Sequence, residues 1–146
     1  MERQPPPLDN KRILLVEDDS RIINFMQRGL EAEGMVLDVV SAKTPALHLA
    51  ESRHYNSIIL DIYLGDDDGL DVCRSLRQRS IHTPVLVMTA KDSMELREAS
   101  VKAGANAYLP KPFSFDDLLS TLAKMRQAYM TMRSTVSMGL PAQVRA

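Results

Sequence analysis

Short apolar runs alternate with amphipathic segments along the chain, and this alternation constrains the fold more than any other feature. Five runs are rich in branched apolar side chains, which is typical of strands buried on both faces. They are residues 13–16, 35–40, 57–61, 84–89 and 107–109. Each is followed by apolar residues spaced three or four apart, as on the core-facing side of a helix. We therefore predict one α/β domain, with a doubly wound parallel sheet of five strands, helices on both faces and right-handed crossovers.

Capping residues indicate where the helices begin and end. Starts are predicted at Thr44 before Pro45, at Asp92 before Glu95, and at Ser114. Ends are predicted at Gly34 and Gly104. We expect residues 1–10 to be a flexible arm, residues 11–128 the folded domain, and residues 129–146 a helix extension followed by a disordered tail or linker.

Charge and cysteine content narrow the class of protein. The 18 Lys and Arg residues balance 19 Asp and Glu residues, so no global charge favours nucleic acid or an anionic membrane. The one cysteine, Cys73, excludes an intrachain disulfide and is predicted to be a small core residue. No apolar run suits a signal peptide or a membrane span. We expect a cytoplasmic protein that contacts neither membrane nor nucleic acid directly.

Polar residues stand at the carboxyl ends of four predicted strands, the edge where ligands bind in open α/β sheets. They are Glu17 with Asp18, Asp61, Thr89 and Lys111. If the first strand lies between the second and third, three carboxylates share one pocket. Unit charges about 4 Å apart repel by about 4 kcal/mol at a surface-like dielectric, so a cation or a raised pKa must relieve them.

Such an all-oxygen cluster favours Mg²⁺ over zinc, because Mg²⁺ is a hard cation that retains water. The three histidines lie away from the strand ends, so they do not indicate a metal site: His48, His54 and His82. A carboxylate beside Mg²⁺, a lysine and a hydroxyl can accept a phosphoryl group as an aspartyl phosphate. The small residue Ala90 leaves room for that group.

Four stretches in chain order resemble the receiver domain of two-component response regulators. They are Leu14-Leu15-Val16-Glu17-Asp18-Asp19, Asp61 with Asp68-Gly69 downstream, Val87-Met88-Thr89-Ala90, and Tyr108-Leu109-Pro110-Lys111-Pro112-Phe113. The resemblance covers roughly residues 12–125. It implies a flavodoxin-like strand order 2-1-3-4-5 and makes residues 11–128 the receiver domain.

The resemblance also implies the ligands of the site. Asp61 is the phosphoacceptor, and the carboxylates of Asp18 and Asp61 bind Mg²⁺. Glu17 acts mainly through a metal-bound water, and the Tyr63 backbone carbonyl is a further ligand. The phosphoryl group comes from a histidine kinase or a histidine phosphotransfer protein. The chain is then a phosphoacceptor with at most slow autodephosphorylation, and not a turnover enzyme.

A switch is implied as well. Lys111 bridges to the phosphoryl group, and the Lys111-Pro112 peptide bond is expected to be cis. Thr89 moves toward the phosphoryl oxygens, and Tyr108 turns into the space that it leaves. The surface of the fourth helix, last strand and last helix then changes its preference for a downstream protein target, or for an output domain that this chain lacks.

Two departures from the family pattern stand out. Gly65 replaces the usual proline, and we expect it to loosen the loop beside Tyr63. The following Asp66 and Asp67 are interpreted as a solvated loop. Asn106 and Ala107 stand where DNA-binding members often carry paired acids, so a dimer of that kind is not expected.

Two other functions remain open from the residues. A pseudo-receiver would bind proteins or dimerise without phosphorylation. A phosphate-ester hydrolase using Asp61 is less favoured, because Tyr63 stands where a second acid–base carboxylate would follow. A nucleotide site is disfavoured, because the first strand leads into an acidic turn instead of a glycine-rich loop.

Overall fold

The computed structural model describes residues 12–137, so the expected arm and the end of the tail lie outside the described residues. The strands are β1 Arg12–Val16, β2 Val36–Val40, β3 Ser57–Asp61, β4 Tyr63–Leu64, β5 Asp67–Asp68, β6 Val85–Thr89 and β7 Ala107–Pro110. The helices are α1 Ser20–Ala32, α2 Lys43–Ser52, α3 Gly69–Gln78, α4 Met94–Ala103 and α5 Phe115–Ser137. Each predicted strand is present, and β4 with β5 forms a hairpin that was not predicted.

The main sheet has five parallel strands in the order β2-β1-β3-β6-β7. This confirms the predicted doubly wound order, with the hairpin set aside. β1 lies between β2 and β3, and Val16 is in register with both Val40 and Leu60. Asp61 is in register with Met88 of β6. The polar residues that follow β1 and end β3 therefore lie at the same edge of the sheet.

Two apolar layers cover the sheet, because successive side chains of a strand point to opposite faces. Leu14 and Ile58 pack in one layer with residues of α2, α3 and α4. Ile13 and Ile59 pack in the other layer with residues of α1 and α5. Burial of both faces explains why these strands are continuously apolar. Cys73 is completely buried in the first layer, as predicted.

The predicted start of α2 is wrong. The helix begins at Lys43, so Thr44 is not its cap and Pro45 is its third residue. Proline is tolerated there because the N–H groups of a first helical turn have no partner within the helix. The N-cap residue Ala42 has no side-chain acceptor, and the Lys43 N–H donates to Asp67 Oδ2 at 2.8 Å. No local pattern could show a cap supplied from so far along the chain.

The predicted start of α4 is also wrong. Ser93 is the N-cap and accepts from the Leu96 N–H, while Asp92 lies outside the helix and pairs with Arg97. The other capping predictions are confirmed: Gly34 and Gly104 have positive φ angles at helix ends, and Ser114 Oγ accepts from the Asp117 N–H.

The last helix continues well past Gln127 and extends to Ser137, the last residue that the structure describes. Leu118, Leu122 and Met125 are buried against the sheet, whereas Met130 and Met132 are exposed. None of the helices within residues 12–137 combines the length and apolarity that crossing a membrane requires.

Arg77 joins three segments at the amino-terminal edge of the sheet, and no sequence signal indicated this role. Its guanidinium donates to the carbonyl oxygens of Ile81, Thr83 and Gly104 and to Asn106 Oδ1, at 2.8 to 3.0 Å. Burial lowers the pKa of Arg77 from its usual value. The Asn106 side chain therefore accepts a hydrogen bond within the domain.

Replacing Arg77 with Met should lower the free energy of unfolding by about 2–4 kcal/mol, because several partly buried acceptors lose their donor. The matched control is Arg79→Met, which removes an exposed ion pair with Glu51 and should cost less than about 1 kcal/mol. Urea denaturation measures both values, and equal losses would contradict the assigned role of Arg77.

Candidate functional site

Three carboxylates meet at the carboxyl edge of the sheet, as predicted. Glu17 and Asp18 follow β1, Asp61 ends β3, and one oxygen from each lies within 4.8 Å of the others. Glu17 is 1% exposed and Asp61 4% exposed, whereas Asp18 is exposed to solvent. The cluster thus reaches from the core to the surface.

Local hydrogen bonds position these acids. Glu17 Oε2 accepts from the N–H groups of Asp18 and Asp19, each at 3.1 Å. Asp61 Oδ1 accepts from the Tyr63 N–H at 3.1 Å. Asp19, and not Asp18, is the N-cap of α1 and accepts from the Arg21 N–H at 2.9 Å. The Asp18 carboxylate is therefore left to the cluster.

Lys111 supplies positive charge to the cluster. Its Nζ lies 2.9 Å from Asp61 Oδ2 and 3.3 Å from Glu17 Oε1. The residue follows β7 directly, its N–H donates to the Thr89 carbonyl at 2.7 Å, and the Lys111-Pro112 bond is cis as expected. Burial alone would lower the pKa of Lys111, but the hydrogen bonds and charges of the two acids outweigh it and the pKa is raised.

One ammonium does not neutralise three carboxylates, and the remaining repulsion affects the pKa of Glu17. Burial, followed by a hydrogen bond shared with Asp61, raises the pKa of Glu17 to about 7. This is one of the two forms of relief predicted for the cluster, the other being a bound cation. In the absence of a cation, Glu17 therefore retains a proton up to near-neutral pH.

The two residues of the expected switch pair lie on neighbouring strands. Thr89 ends β6, is fully buried, and accepts the Lys91 N–H on its hydroxyl oxygen at 3.0 Å. Tyr108 is half-buried on β7, and its hydroxyl donates to Asp92 Oδ1 at 3.0 Å. The Arg97 guanidinium lies 4.6 Å from the centre of the tyrosine ring. Asp92 and Arg97 were missed because only the folded chain brings them to Tyr108.

Gly65 adopts a defined turn conformation, and the expected looseness of its loop stays a prediction. It occupies the first turn position of the β4–β5 hairpin with a φ of +55°, whereas a proline ring fixes φ near −65°. A Cβ atom there would lie 3.5 Å from Asp18 Oδ2. At Gly69, a Cβ would lie 2.1 Å from the Asp61 carbonyl oxygen, which only glycine permits. The segment from Tyr63 to Gly69 therefore makes a tight turn packed on the acids.

The acidic stretch after Gly65 is only partly a solvated loop. Asp66 is exposed, as predicted. The interpretation of Asp67 as solvated is wrong, since its carboxylate accepts the Lys43 N–H. Asp68 accepts from the Leu70 N–H at 2.9 Å and so caps α3.

The residues present fit a hard divalent cation. All three donors of the cluster are carboxylates, and Asp18 keeps one side of it open to water. An open groove of about 540 Å³ lies beside Lys111 and is bordered by the exposed Ala90. Apart from Lys111 its lining is apolar and does not include Asp61, so the room for a phosphoryl group beside Ala90 stays a prediction. The Tyr63 carbonyl as a metal ligand stays a prediction.

Known proteins share both the sequence and the fold. The family model of the response regulator receiver domain matches residues 13–123. The transcriptional regulatory protein HprR of Escherichia coli (strain K12) is 39% identical over 125 residues, which is 86% of this chain and 56% of HprR. The chain spans about half the length of the curated relatives that it matches.

Solved structures give the same result. The receiver domain of the Francisella response regulator 1452 superposes with a TM-score of 0.76 at 31% identity, covering 82% of this chain and 99% of that one. The receiver domain of the sensor histidine kinase PA1611 from Pseudomonas aeruginosa PAO1 superposes with a TM-score of 0.74 at 29% identity, with the same coverage of both chains. That structure holds a magnesium ion coordinated in its active site cleft.

The raised pKa of Glu17 predicts how stability depends on pH in metal-free protein. Between pH 4.5 and about 7 the folded chain binds a proton at Glu17 that the unfolded chain releases. The contribution of Glu17 to the free energy of unfolding is therefore present at low pH and is lost as pH rises through about 7.

Urea denaturation in EDTA, compared between the parent and Glu17→Gln, isolates this contribution. The difference in unfolding free energy, parent minus variant, should fall from pH 4.5 to about 7 and then level off. A difference that stays constant or rises over this window would contradict the protonation of Glu17.

Proposed function

Because this chain belongs to the family of response regulator receiver domains, we propose that it is a phosphorylation-dependent switch of a two-component system. Asp61 accepts a phosphoryl group from a histidine kinase or a histidine phosphotransfer protein. The observation that carries this proposal is the contact of the buried Asp61 with Lys111, inside a cluster of three carboxylates. The phosphoryl transfer takes place in the cytoplasm, as the composition suggests.

In the transfer, an Asp61 carboxylate oxygen attacks the phosphorus of the donor phosphohistidine. The new O–P bond forms as the N–P bond breaks, and the histidine nitrogen keeps the electron pair and takes up a proton. Lys111 Nζ, now 2.9 Å from Asp61 Oδ2, is positioned to donate to a phosphoryl oxygen on the same carboxylate. The chain is a phosphoacceptor in this scheme, and not a turnover enzyme.

Glu17, Asp18 and Asp61 would hold Mg²⁺, with the Tyr63 carbonyl as a further ligand. When bound, Mg²⁺ supplies charge neutralisation for the phosphoryl oxygens. Its binding requires Glu17 to lose the proton that burial favours, so affinity for the cation should increase as pH rises toward 7.

The signal passes from Thr89 to Tyr108. To donate to a phosphoryl oxygen, the Thr89 hydroxyl must give up its 3.4 Å hydrogen bond to the Lys91 carbonyl, and Tyr108 must leave Asp92 and Arg97 to turn inward. Phosphorylation shifts the population toward the turned state only as far as the phosphoryl group binds that state better. The altered face of α4, β7 and α5 then selects a protein target or an attached output domain, without direct contact of this chain with nucleic acid.

Incubation with acetyl phosphate and Mg²⁺, followed by intact-mass spectrometry, tests the proposal. The parent should gain the mass of one phosphoryl group, and EDTA should abolish the gain. Asp61→Asn should gain nothing, because an amide is not a nucleophile for phosphorus, whereas the matched control Asp66→Asn on the exposed turn should behave as the parent.

Two results would contradict it. One is a parent that never gains the mass, which would favour the phosphorylation-independent binding module. The other is an equal gain by Asp61→Asn, which would move the phosphoacceptor elsewhere.

A further inference from the structure

The first turn of α2 depends on the β4–β5 hairpin. Its N-cap, Ala42, has no side-chain oxygen, so the orphan N–H groups of the turn have no local acceptor. Asp67 Oδ2 meets this need by accepting the Lys43 N–H at 2.8 Å. A carboxylate at a helix N-terminus also interacts favourably with the helix dipole, and a bond to an ionised acceptor is among the stronger hydrogen bonds.

Lys43 adds a second link on the same side. Its Nζ lies 2.6 Å from Asp71 Oδ2 in the first turn of α3 and lowers the pKa of that carboxylate. Both side chains are well exposed, so this ion pair contributes little by itself. The backbone bond to Asp67 is the more directional of the two links.

The opposite strand of the hairpin belongs to the metal- and phosphoryl-binding site. Tyr63 pairs with Asp68, and Leu64 pairs with Asp67. The Tyr63 N–H donates to Asp61 Oδ1, and the Gly65 turn lies against the Asp18 carboxylate. The hairpin is thus tied on one strand to the acids, and on the other strand to α2 through Asp67 and to α3 through Asp68.

A hairpin with two residues in each strand does not hold its shape by itself, so its outside contacts determine its position. We propose that Asp67 is a positioning residue: by capping α2 it fixes β5, and through β5 it holds the Tyr63 backbone at Asp61 in the geometry that Mg²⁺ binding uses. The identity of the ligand rests on the proposed function, whereas the mechanical link does not.

Asp67 acts through the backbone and not as a ligand. Its Oδ2 is engaged by Lys43, and among the described residues the carboxylate cluster comprises Glu17, Asp18 and Asp61. Its neighbour Asp66 carries the same charge on the same hairpin but is exposed and lies in the turn. This pair of neighbouring acids lets an experiment separate the hydrogen bond from the charge.

The test compares the parent with substituted variants in two measurements. Calorimetric titration gives the Mg²⁺ dissociation constant, and hydrogen exchange in metal-free protein gives the protection of the Tyr63 amide. Asp67→Ala should weaken Mg²⁺ binding about tenfold, the lower range for outer-shell residues, and speed exchange at Tyr63. Asp67→Asn keeps an oxygen acceptor for the Lys43 N–H, and Asp66→Ala removes the same charge without removing that acceptor. The Mg²⁺ dissociation constants of both variants should stay within about twofold of the parent's value. Unchanged exchange at Ile59 shows that each variant is folded.

Adding Ala42→Ser to Asp67→Ala separates positioning from helix stability. Serine supplies a local cap that accepts from the Thr44 N–H, because Pro45 has none, so α2 should gain protection at Thr44, yet Mg²⁺ binding should remain weak because the link to the hairpin is still missing. Recovery of Mg²⁺ affinity in this double variant would overturn the proposal. So would an Asp67→Ala affinity within about twofold of the parent, or equal weakening in Asp66→Ala.

Failure of this inference differs from failure of the proposed function. A parent that binds Mg²⁺ and shows the expected differences among variants, but takes no phosphoryl group from acetyl phosphate, overturns the function alone. Phosphorylation of the parent at Asp61, with Asp67→Ala unchanged in Mg²⁺ affinity and in Tyr63 exchange, overturns the positioning role alone. A parent without Mg²⁺ affinity overturns both.

Discussion

Mutual repulsion of three carboxylates at one edge of the sheet is the constraint on which the site depends. Glu17 and Asp61 are almost completely buried, and close like charges cost several kcal/mol unless something neutralises them. Lys111 offsets part of this cost, and a proton on Glu17 offsets more. In the proposed function a divalent cation would neutralise the remaining charge, including the negative charge that a phosphoryl group on Asp61 adds.

The strand order and two closely packed glycines bring the acids together at this edge of the sheet. Placing β1 between β2 and β3 brings Glu17 to Asp61, and the tight approach of Gly69 to the Asp61 carbonyl keeps the acidic strand end close to α3. Gly65 turns the chain back beside Asp18. Backbone packing therefore holds the acids on the side of these turns, while the side at Asp18 stays open to solvent.

Much of this arrangement could be predicted from local sequence. Apolar runs that end in polar residues identified the strands and the acids, because a buried strand leaves few other places for charge. The resemblance to receiver domains then supplied the strand order, which the structure confirms, and the expected role of the Tyr63 carbonyl, which no pattern of side chains indicates.

What escaped prediction depends on contacts between distant segments. Asp67 caps a helix that begins 24 residues before it, Arg77 binds carbonyl oxygens as far away as Gly104, and Tyr108 meets Asp92 and Arg97 only in the folded chain. The start of α2 was misplaced for the same reason. The turn at Gly65 was not anticipated, because the hairpin register that imposes its positive φ pairs residues on either side of it.

The most direct test of the shared cation site is a titration with Mn²⁺, a hard and paramagnetic substitute for Mg²⁺, followed by NMR. The account predicts that amide signals of Glu17, Asp18, Asp61 and Tyr63 broaden first, that excess Mg²⁺ restores them, and that Asp18→Asn and Asp61→Asn weaken the effect. Broadening centred instead on exposed acids such as Asp116 and Asp117, or unchanged by these substitutions, would contradict it.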